Sequence, residues 1–495
     1  MQLHKPNYIF YLSTDGAGTH IIRSQIIGLA EKKIKVKVVH QSFWSLAISA
    51  ILNPKENNIK TKKNNLDVFK EFCRSNNIDE SKFSLDSLDK LNSNIEGDKL
   101  KIGWAKSSLI PSFPTPLAGY GERKGKINIG VEDSIWVRTI VLDNGKNRAA
   151  YVSLDLLIPP PNLNLKDILK GTNLRDSEIF LTASHSHSSI GGYLPSVVGE
   201  MFAGEYDEKI LKFISGAIRE SLLDALNNME ITKVGYSRIK AEEFITNRLV
   251  GDSLGAKDNW IRLVKFERNS GKNIIMFSYS AHATCYTSKQ LKISSDYPGK
   301  CIFHLEEFPK IDFAVYGAGA VGSMAPKYKI LNGKDKLDAI SNAISIKIIN
   351  TIDSIPTFFE NRLFSNKINI KMRKPSFRFN DFLIFKPWIF NYLVGLDNTS
   401  KYFSFLKLGD ILIIGTPADF SGELVEPLEE FALSKNMNLI INSFNGGYLG
   451  YITKDNWYNK KNINTYETYT MNWYGPYNGS YFSDIIKKII DINEI

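Results

Sequence analysis

Two of the chain's seven histidines stand two residues apart in Thr182-Ala183-Ser184-His185-Ser186-His187-Ser188-Ser189-Ile190-Gly191-Gly192-Tyr193, at the end of an apolar run. On an extended backbone a His-x-His pair points to one side. One imidazole can then hold a metal while the other works beside the water on it. A catalytic zinc takes about three protein ligands from His, Asp, Glu or Cys and keeps one position open. A third histidine, His282, lies in Tyr279-Ser280-Ala281-His282-Ala283-Thr284, directly after the apolar run 274–279. Asp419 in Gly415-Thr416-Pro417-Ala418-Asp419-Phe420, and Tyr448 and Tyr451 in Asn445-Gly446-Gly447-Tyr448-Leu449-Gly450-Tyr451, also follow apolar runs. Each has another use: a histidine as a hydrogen-bonded core group, Asp419 as the N-cap of a helix at Ser421, a glycine-flanked tyrosine as a packing group. Four strand ends that each deliver a ligand-type residue favour a shared site.

Such residues need rigid elements beneath them. Strands are expected at 101–104, 136–142, 149–155, 179–182, 260–266, 274–279, 313–316, 411–415 and 439–443. Helical patterns run over 165–169, 208–229, 336–352 and 421–434. The mixture predicts an α/β fold with mixed β-sheets flanked by helices. Residues 7–39 read as a small βαβ-like unit, with Asp15-Gly16-Ala17-Gly18-Thr19 as its turn, and 54–98 as a Lys/Asn-rich linker or insert. The chain therefore divides into an N-terminal extension, 1–98, and a main domain, 99–495.

Gly317-Ala318-Gly319-Ala320-Val321-Gly322 has the spacing of a dinucleotide fingerprint. That use requires a helix to begin in the glycines and continue past the third. Pro326 falls where its turns would follow. A glycine-rich site loop is the better reading.

Composition sets bounds. Hydrophobic residues at 43% and charged residues at 23% are globular values. The formal charge of +10 favours acidic surfaces. No nucleic-acid motif accompanies it, so no nucleic-acid partner is expected. Cys73, Cys285 and Cys301 make neither a disulfide framework nor a cysteine zinc site. No apolar run reaches the roughly 18–20 residues that span a bilayer, and the N-terminus lacks the apolar core of a signal peptide. Lys371, Arg373, Lys374, Arg378 and Lys386 are interleaved with Phe377, Phe379, Phe382, Phe385, Trp388 and Phe390. That pattern over 371–394 suits either a peripheral membrane contact or a buried strand pair with basic edges.

From about 99 to 481 the chain resembles the neutral/alkaline (non-lysosomal) ceramidase family, in its catalytic domain. The resemblance rests on motifs in shared order. Ala118-Gly119-Tyr120-Gly121 is similar to the family's early Gly-Tyr loop, and Ser184–Ser188 with Gly191-Gly192-Tyr193 to its double-histidine signature. Thr246-Asn247-Arg248 matches its Asn-Arg motif, and Ala281–Thr284 with Ser295-Asp296-Tyr297-Pro298-Gly299 its second histidine block. Gly322-Ser323-Met324-Ala325-Pro326, Pro417–Phe420, Gly447–Thr453, Tyr466-Glu467 and Tyr474-Gly475-Pro476 complete the order.

The resemblance implies a zinc ion held by His185, His282, Asp419 and Tyr448, with His187 as acid/base or oxyanion group and Arg248 beside the scissile amide. It implies hydrolysis of the N-acyl bond of ceramide to a sphingoid base and a fatty acid by a metal-activated water. The alternatives are a related zinc amidase on another N-acyl lipid or small amide, and a degenerate lipid-binding homologue. Asp419 stands where the family has Glu, with Glu423 as second choice, and Tyr451 as second choice to Tyr448. Ala325 stands where the family has Ser, which excludes a serine nucleophile there. The family's C-terminal immunoglobulin-like domain has no counterpart here. Family members are often secreted or membrane-associated; the N-terminus here reads as cytoplasmic, and localisation stays open.

Overall fold

The computed structural model describes residues 95–495 except 330, 371, 373, 379–383, 396–400 and 495. The chain divides into two units. Everything below concerns the larger, Lys60–Arg378 with Pro387–Ile495; of the other, Met1–Ile59 with Phe379–Lys386, only 384–386 are described. The βαβ-like reading of 7–39 and nearly all of the 54–98 insert lie outside the described residues.

The strands, in chain order, are β1 (Lys101–Ser108), β2 (Trp136–Asp143), β3 (Arg148–Leu154), β4 (Ile179–Ala183), β5 (Glu230–Lys240), β6 (Ile245–Asn247), β7 (Trp260–Arg268), β8 (Asn273–Tyr279), β9 (Ile311–Ala318) and β10 (Met324–Pro326). They continue with β11 (Leu363–Asn369), β12 (Tyr402–Leu408), β13 (Ile411–Gly415), β14 (Asp419–Phe420), β15 (Asn438–Asn442) and β16 (Tyr451–Ile452). The helices are α1 (Val197–Ala203), α2 (Glu208–Asn227), α3 (Asp296–Glu306), α4 (Gly333–Ile352), α5 (Pro387–Val394), α6 (Val425–Leu433) and α7 (Asn478–Ile492), with a single helical turn at Leu165–Ile168.

Eight strands form one sheet in the order β4-β3-β2-β1-β5-β7-β8-β9. Its outer pairs, β3/β4 and β8/β9, are parallel and the rest antiparallel. A second sheet, β11-β12-β13-β15, pairs β13 and β15 in parallel across the α6 crossover. Apolar side chains of the two sheets interlock in one core that includes Ile102, Ile140, Phe266 and Val315 from the first and Leu363, Leu406, Ile413 and Ile440 from the second. The other face of the large sheet carries α2, α3 and α4, and the other face of the small one carries α5, α6 and α7. The result is a helix–sheet–sheet–helix stack, the mixed α/β fold expected.

Local sequence explains the pieces. All seven residues of β8 and all five of β4 are buried, so each reads as a continuous apolar run rather than an alternating one. Helix α2 buries Ile210, Ile214, Ala217, Ile218, Leu222 and Ala225 at helical spacing, and Asp207 caps it through the Lys209 N–H. Arg138 of β2 donates to Ala314 O and Ser153 of β3 to Tyr316 O. The far end of the large sheet, at β9, is thereby tied to strands near its opposite edge, and this draws the loops after β4, β8 and β9 together.

Three expectations meet the structure at this level. The glycine-rich segment after β9 runs through a short loop into β10, so the helix that a dinucleotide fingerprint requires does not form there. Asp419 is not a helix cap: it lies in β14, and Ser421 takes the capping role through the Glu423 N–H. In the basic-aromatic stretch, Arg378 is buried against the Tyr458 and Tyr469 rings, and Phe390 packs on Trp473 in the core; Lys371, Arg373, Phe379 and Phe382 lie outside the described residues.

Candidate metal centre and its cleft

His185 stands two residues beyond β4 and His282 three beyond β8. The His-x-His pair is not on the extended backbone expected from the sequence. The strand stops at Ala183, and His185 takes φ 61°. A non-glycine residue in that region is held there by its surroundings, and such strain clusters at functional sites. Phe444 stacks on the His185 ring at 3.9 Å and 13°. The turned backbone swings the two imidazoles together, not side by side as on a strand: His187 Nε2 is 3.0 Å from His185 Nε2, which is 3.2 Å from His282 Nε2.

These contacts are not ordinary hydrogen bonds. Each Nδ1 faces backbone carbonyl oxygen: His185 to Leu157 O at 2.6 Å, His187 to Gly119 O at 3.0 Å, His282 to Val321 O at 2.8 Å and Met324 O at 3.1 Å. A carbonyl only accepts, so each Nδ1 carries the proton and each neutral ring presents a bare Nε2 lone pair. Burial keeps the rings neutral, pulling His185 down to about 3 and His187 and His282 well below the usual imidazole range. Three lone pairs thus point at one another. Among the described residues this is the group of His, Cys, Asp and Glu side chains able to hold a metal ion, and the Nδ1–carbonyl bonds are the orienting contacts that metal-bound histidines use.

Asp419 completes the cluster. Its Oδ1 is buried, accepts no hydrogen bond, and lies 3.4 Å from His282 Nε2 and 3.7 Å from His185 Nε2. Burial lifts its pKa, opposed chiefly by His185 and the Tyr448 hydroxyl. Glu423 is turned elsewhere, accepting the Trp457 indole N–H at 2.7 Å. The two tyrosines left open by the sequence separate. Tyr448 donates to Asp419 Oδ2 at 2.6 Å, whereas the Tyr451 hydroxyl stands 3.3 Å from His282 Nε2. The β14/β16 register pairs Asp419 directly with Tyr451, so the backbone itself brings those two together.

Arg248 follows β6, which pairs with β10. One guanidinium nitrogen lies 2.8 Å from the Tyr451 hydroxyl and 3.3 Å from His282 Nε2, and Nε donates to Glu467 at 2.7 Å. Ala325 lies in β10.

Two contributors escaped the sequence reading. Buried Arg123 donates to the carbonyls of Ala118 (2.7 Å), His187 (2.5 Å), Thr287 (3.4 Å) and Ser288 (3.3 Å) and to Ser188 Oγ (3.1 Å), clamping three loops with no carboxylate partner among these bonds. Burial draws its pKa down to about 10. The only signal was its place just after the Gly119-Tyr120-Gly121 loop. Glu467 is the other: the Tyr466-Glu467 motif contains it, but nothing in its local sequence says what it holds.

The cluster lies at the base of a cleft with about 970 Å³ of non-atom space, part of it open to solvent. His185, His187, Asp419, Tyr448 and Tyr451 supply its polar floor. Leu157, Ile158, Leu194, Phe202, Val394 and Trp473 give it apolar walls. A buried floor whose side chains could hold a metal ion, under an apolar cleft, defines a class: a site suited to polar chemistry at one end of a largely apolar ligand.

Comparison with known proteins shows what the chain is similar to. Residues 110–325 match the family model described as neutral/alkaline non-lysosomal ceramidase, N-terminal. The chain's resemblance to neutral/alkaline ceramidases is thereby established over a segment that holds His185, His187, Arg248 and His282. Among solved structures, the neutral ceramidase from Pseudomonas aeruginosa matches with a TM-score of 0.67 at 17% identity, over 80% of this chain and 74% of that one. A structure described as ceramidase complexed with C2 matches with a TM-score of 0.67 at 16% identity, over 79% and 75%. These likenesses show a shared fold. Among the described residues no helix is long and apolar enough to cross a membrane.

Proposed function

We propose that the protein is a zinc-dependent amide hydrolase that cleaves the N-acyl bond of ceramide to a sphingoid base and a fatty acid. The observation that carries the reading is the convergence of three bare imidazole Nε2 atoms and the orphaned Asp419 Oδ1 on the floor of an apolar cleft. That donor set fits zinc, whose usual ligands are imidazole and carboxylate. His185, His282, Asp419 and a tyrosine hydroxyl would hold the ion; the tyrosine nearer the imidazoles is Tyr451, with Tyr448 bracing the aspartate. Zinc so bound supplies Lewis acidity towards the amide carbonyl and towards water.

The remaining steps belong to the side chains. His187, partly exposed at the cleft, takes a proton from the attacking water and returns one to the departing amine as the C–N bond breaks. Its Nδ1–H bond to Gly119 O fixes which nitrogen does this. Arg248 donates to the oxygen that becomes negative during attack. The apolar walls bind the hydrocarbon chains and keep bulk water away. With Ala325 at the family's serine position, no serine nucleophile acts there.

The test is metal analysis with activity. The purified protein is expected to carry one zinc per chain and to release fatty acid from ceramide. His185→Ala and His282→Ala are expected to lose both. A wild-type protein with no zinc would remove the catalytic reading and leave a lipid-binding homologue. The shorter Asp419 and Ala325 support a second reading, a zinc amidase on another N-acyl lipid or a smaller amide. A panel of N-acyl substrates separates the two.

A lipid substrate must be drawn from a membrane surface. Helices α1 and α5 pack together at the cleft. Their inner residues Val198, Phe202 and Val394 line it, while Val197, Met201, Trp388 and Tyr392 are exposed. We assign this rim, which replaces most of the 371–394 basic-aromatic stretch, as the peripheral membrane contact.

A further inference from the structure

Glu467 is fully buried, and both its carboxylate oxygens are engaged. Oε1 accepts from Arg248 Nε at 2.7 Å, and Oε2 accepts from Ser323 Oγ at 2.9 Å. Ser323 is itself strained at φ 63°. Its carbonyl accepts the Arg248 backbone N–H at 2.9 Å, and its hydroxyl receives Ser421 Oγ at 3.0 Å. Arg248 is therefore gripped at both ends, the main chain by Ser323 and the guanidinium by Glu467. Glu467 sits in a π-helical turn, Tyr466–Thr470, a rare geometry that occurs mostly at functional sites. The Nε bond aims the other end of the guanidinium at the Tyr451 hydroxyl and His282 Nε2. A charge-assisted bond to a buried carboxylate fixes that direction far more firmly than the flexible side chain could alone.

We propose that Glu467, held by Ser323, is a positioning residue for Arg248: it orients the guanidinium towards the reacting end of the cleft without touching substrate itself. This deepens the proposed function and rests on Arg248 acting on the amide oxygen. It also gives Ser323 its role, as the brace of Glu467.

The experiment uses the full chain loaded with zinc, comparing wild type, Arg248→Ala, Glu467→Gln, Glu467→Asp and the Arg248→Ala/Glu467→Gln double variant. Glu467→Gln is expected to lower kcat about 10- to 100-fold with KM and zinc content kept, since misdirecting a transition-state donor acts on kcat. Glu467→Asp should recover part of the loss, and Glu467→Gln should cost nothing further once Arg248 is already Ala. An equal further loss in the Arg248→Ala background, or zinc lost together with kcat, overturns the proposal. A second measurement needs neither activity nor the folding of Glu467→Gln. Crystals of Arg248→Ala soaked in millimolar guanidinium should hold the ion on Glu467 Oε1. If wild type hydrolyses no N-acyl amide, the function proposed above falls and the soak decides alone. An empty position beside Glu467 then overturns the proposal.

Discussion

Asp155 shows how burial sets the behaviour of single side chains here. It follows β3, is almost fully buried, and accepts the Trp136 N–H at 3.0 Å. Burial pushes its carboxyl from 3.8 up to about 6, with Arg138 opposing. The folded protein then holds the proton more tightly than the unfolded chain. Its contribution to stability is fully present below pH 3.8 and is lost as pH rises through about 6. Asp155→Asn keeps an acceptor and cannot ionise. Relative to wild type the variant should gain about 2–3 kcal/mol between pH 4 and pH 7, an upper figure from the size of the shift. Urea denaturation at the two pH values measures it; a difference that stays constant with pH would show that Asp155 does not titrate in this window. At the same scale, His185, His187, His282 and Asp419 were legible in the sequence, because ligand-type residues at the ends of apolar runs are uncommon. Arg123 and Glu467 were not. Glu467 lies 219 residues from Arg248, and the five acceptors of Arg123 span three loops, so no local pattern reveals what either side chain does, although Tyr466-Glu467 is itself a motif.

The elements matter through the loops they launch. Gly119 has φ 108°, and a Cβ there would fall 2.5 Å from His187 Cα. The same residue's carbonyl fixes the His187 tautomer. Gly119→Ala should therefore destabilise the fold by about 1–3 kcal/mol, the cost of strain at such a position. It should also lower activity more than zinc content, since His187 is displaced while His185 and His282 keep their own anchors at Leu157 and Val321. Thermal unfolding, metal analysis and turnover on one preparation check this, and unchanged turnover would refute it. Strand and helix positions were readable from periodicity: β8 at 273–279 against the expected 274–279, and α4 at 333–352 against 336–352. The expected helix at 421–434 opens as a 3-10 turn, Gly422–Leu424, before α6. The extended His-x-His geometry failed because a strand's alternation says nothing about the turn that follows it, and φ 61° at His185 is imposed by the packing of Phe444 and the Leu157 carbonyl.

At the scale of the whole molecule, the two stacked sheets bring distant stretches of chain, from Gly119 to Trp473, to one cleft and leave an apolar rim around it. Trp388→Ala with Tyr392→Ala should reduce sedimentation with ceramide-containing vesicles about tenfold or more, each exposed aromatic contributing on the order of 1 kcal/mol. Hydrolysis of a detergent-dispersed substrate should be nearly unchanged. Equal vesicle binding by variant and wild type would remove the rim from the function. By itself the sequence determined the α/β class, the order of the ceramidase-like motifs, most of the elements and the residue types able to bind a metal. These follow from hydrophobic periodicity and from chemistry carried within short segments. Only the tertiary structure decided that the histidines meet through Nε2, that Tyr451 rather than Tyr448 faces them, that Asp419 is a strand residue rather than a cap, and that Glu467 aims Arg248. Each depends on where a side chain points after distant segments pack, and one dihedral turn or a partner two hundred residues away sets that direction without leaving a trace in local composition.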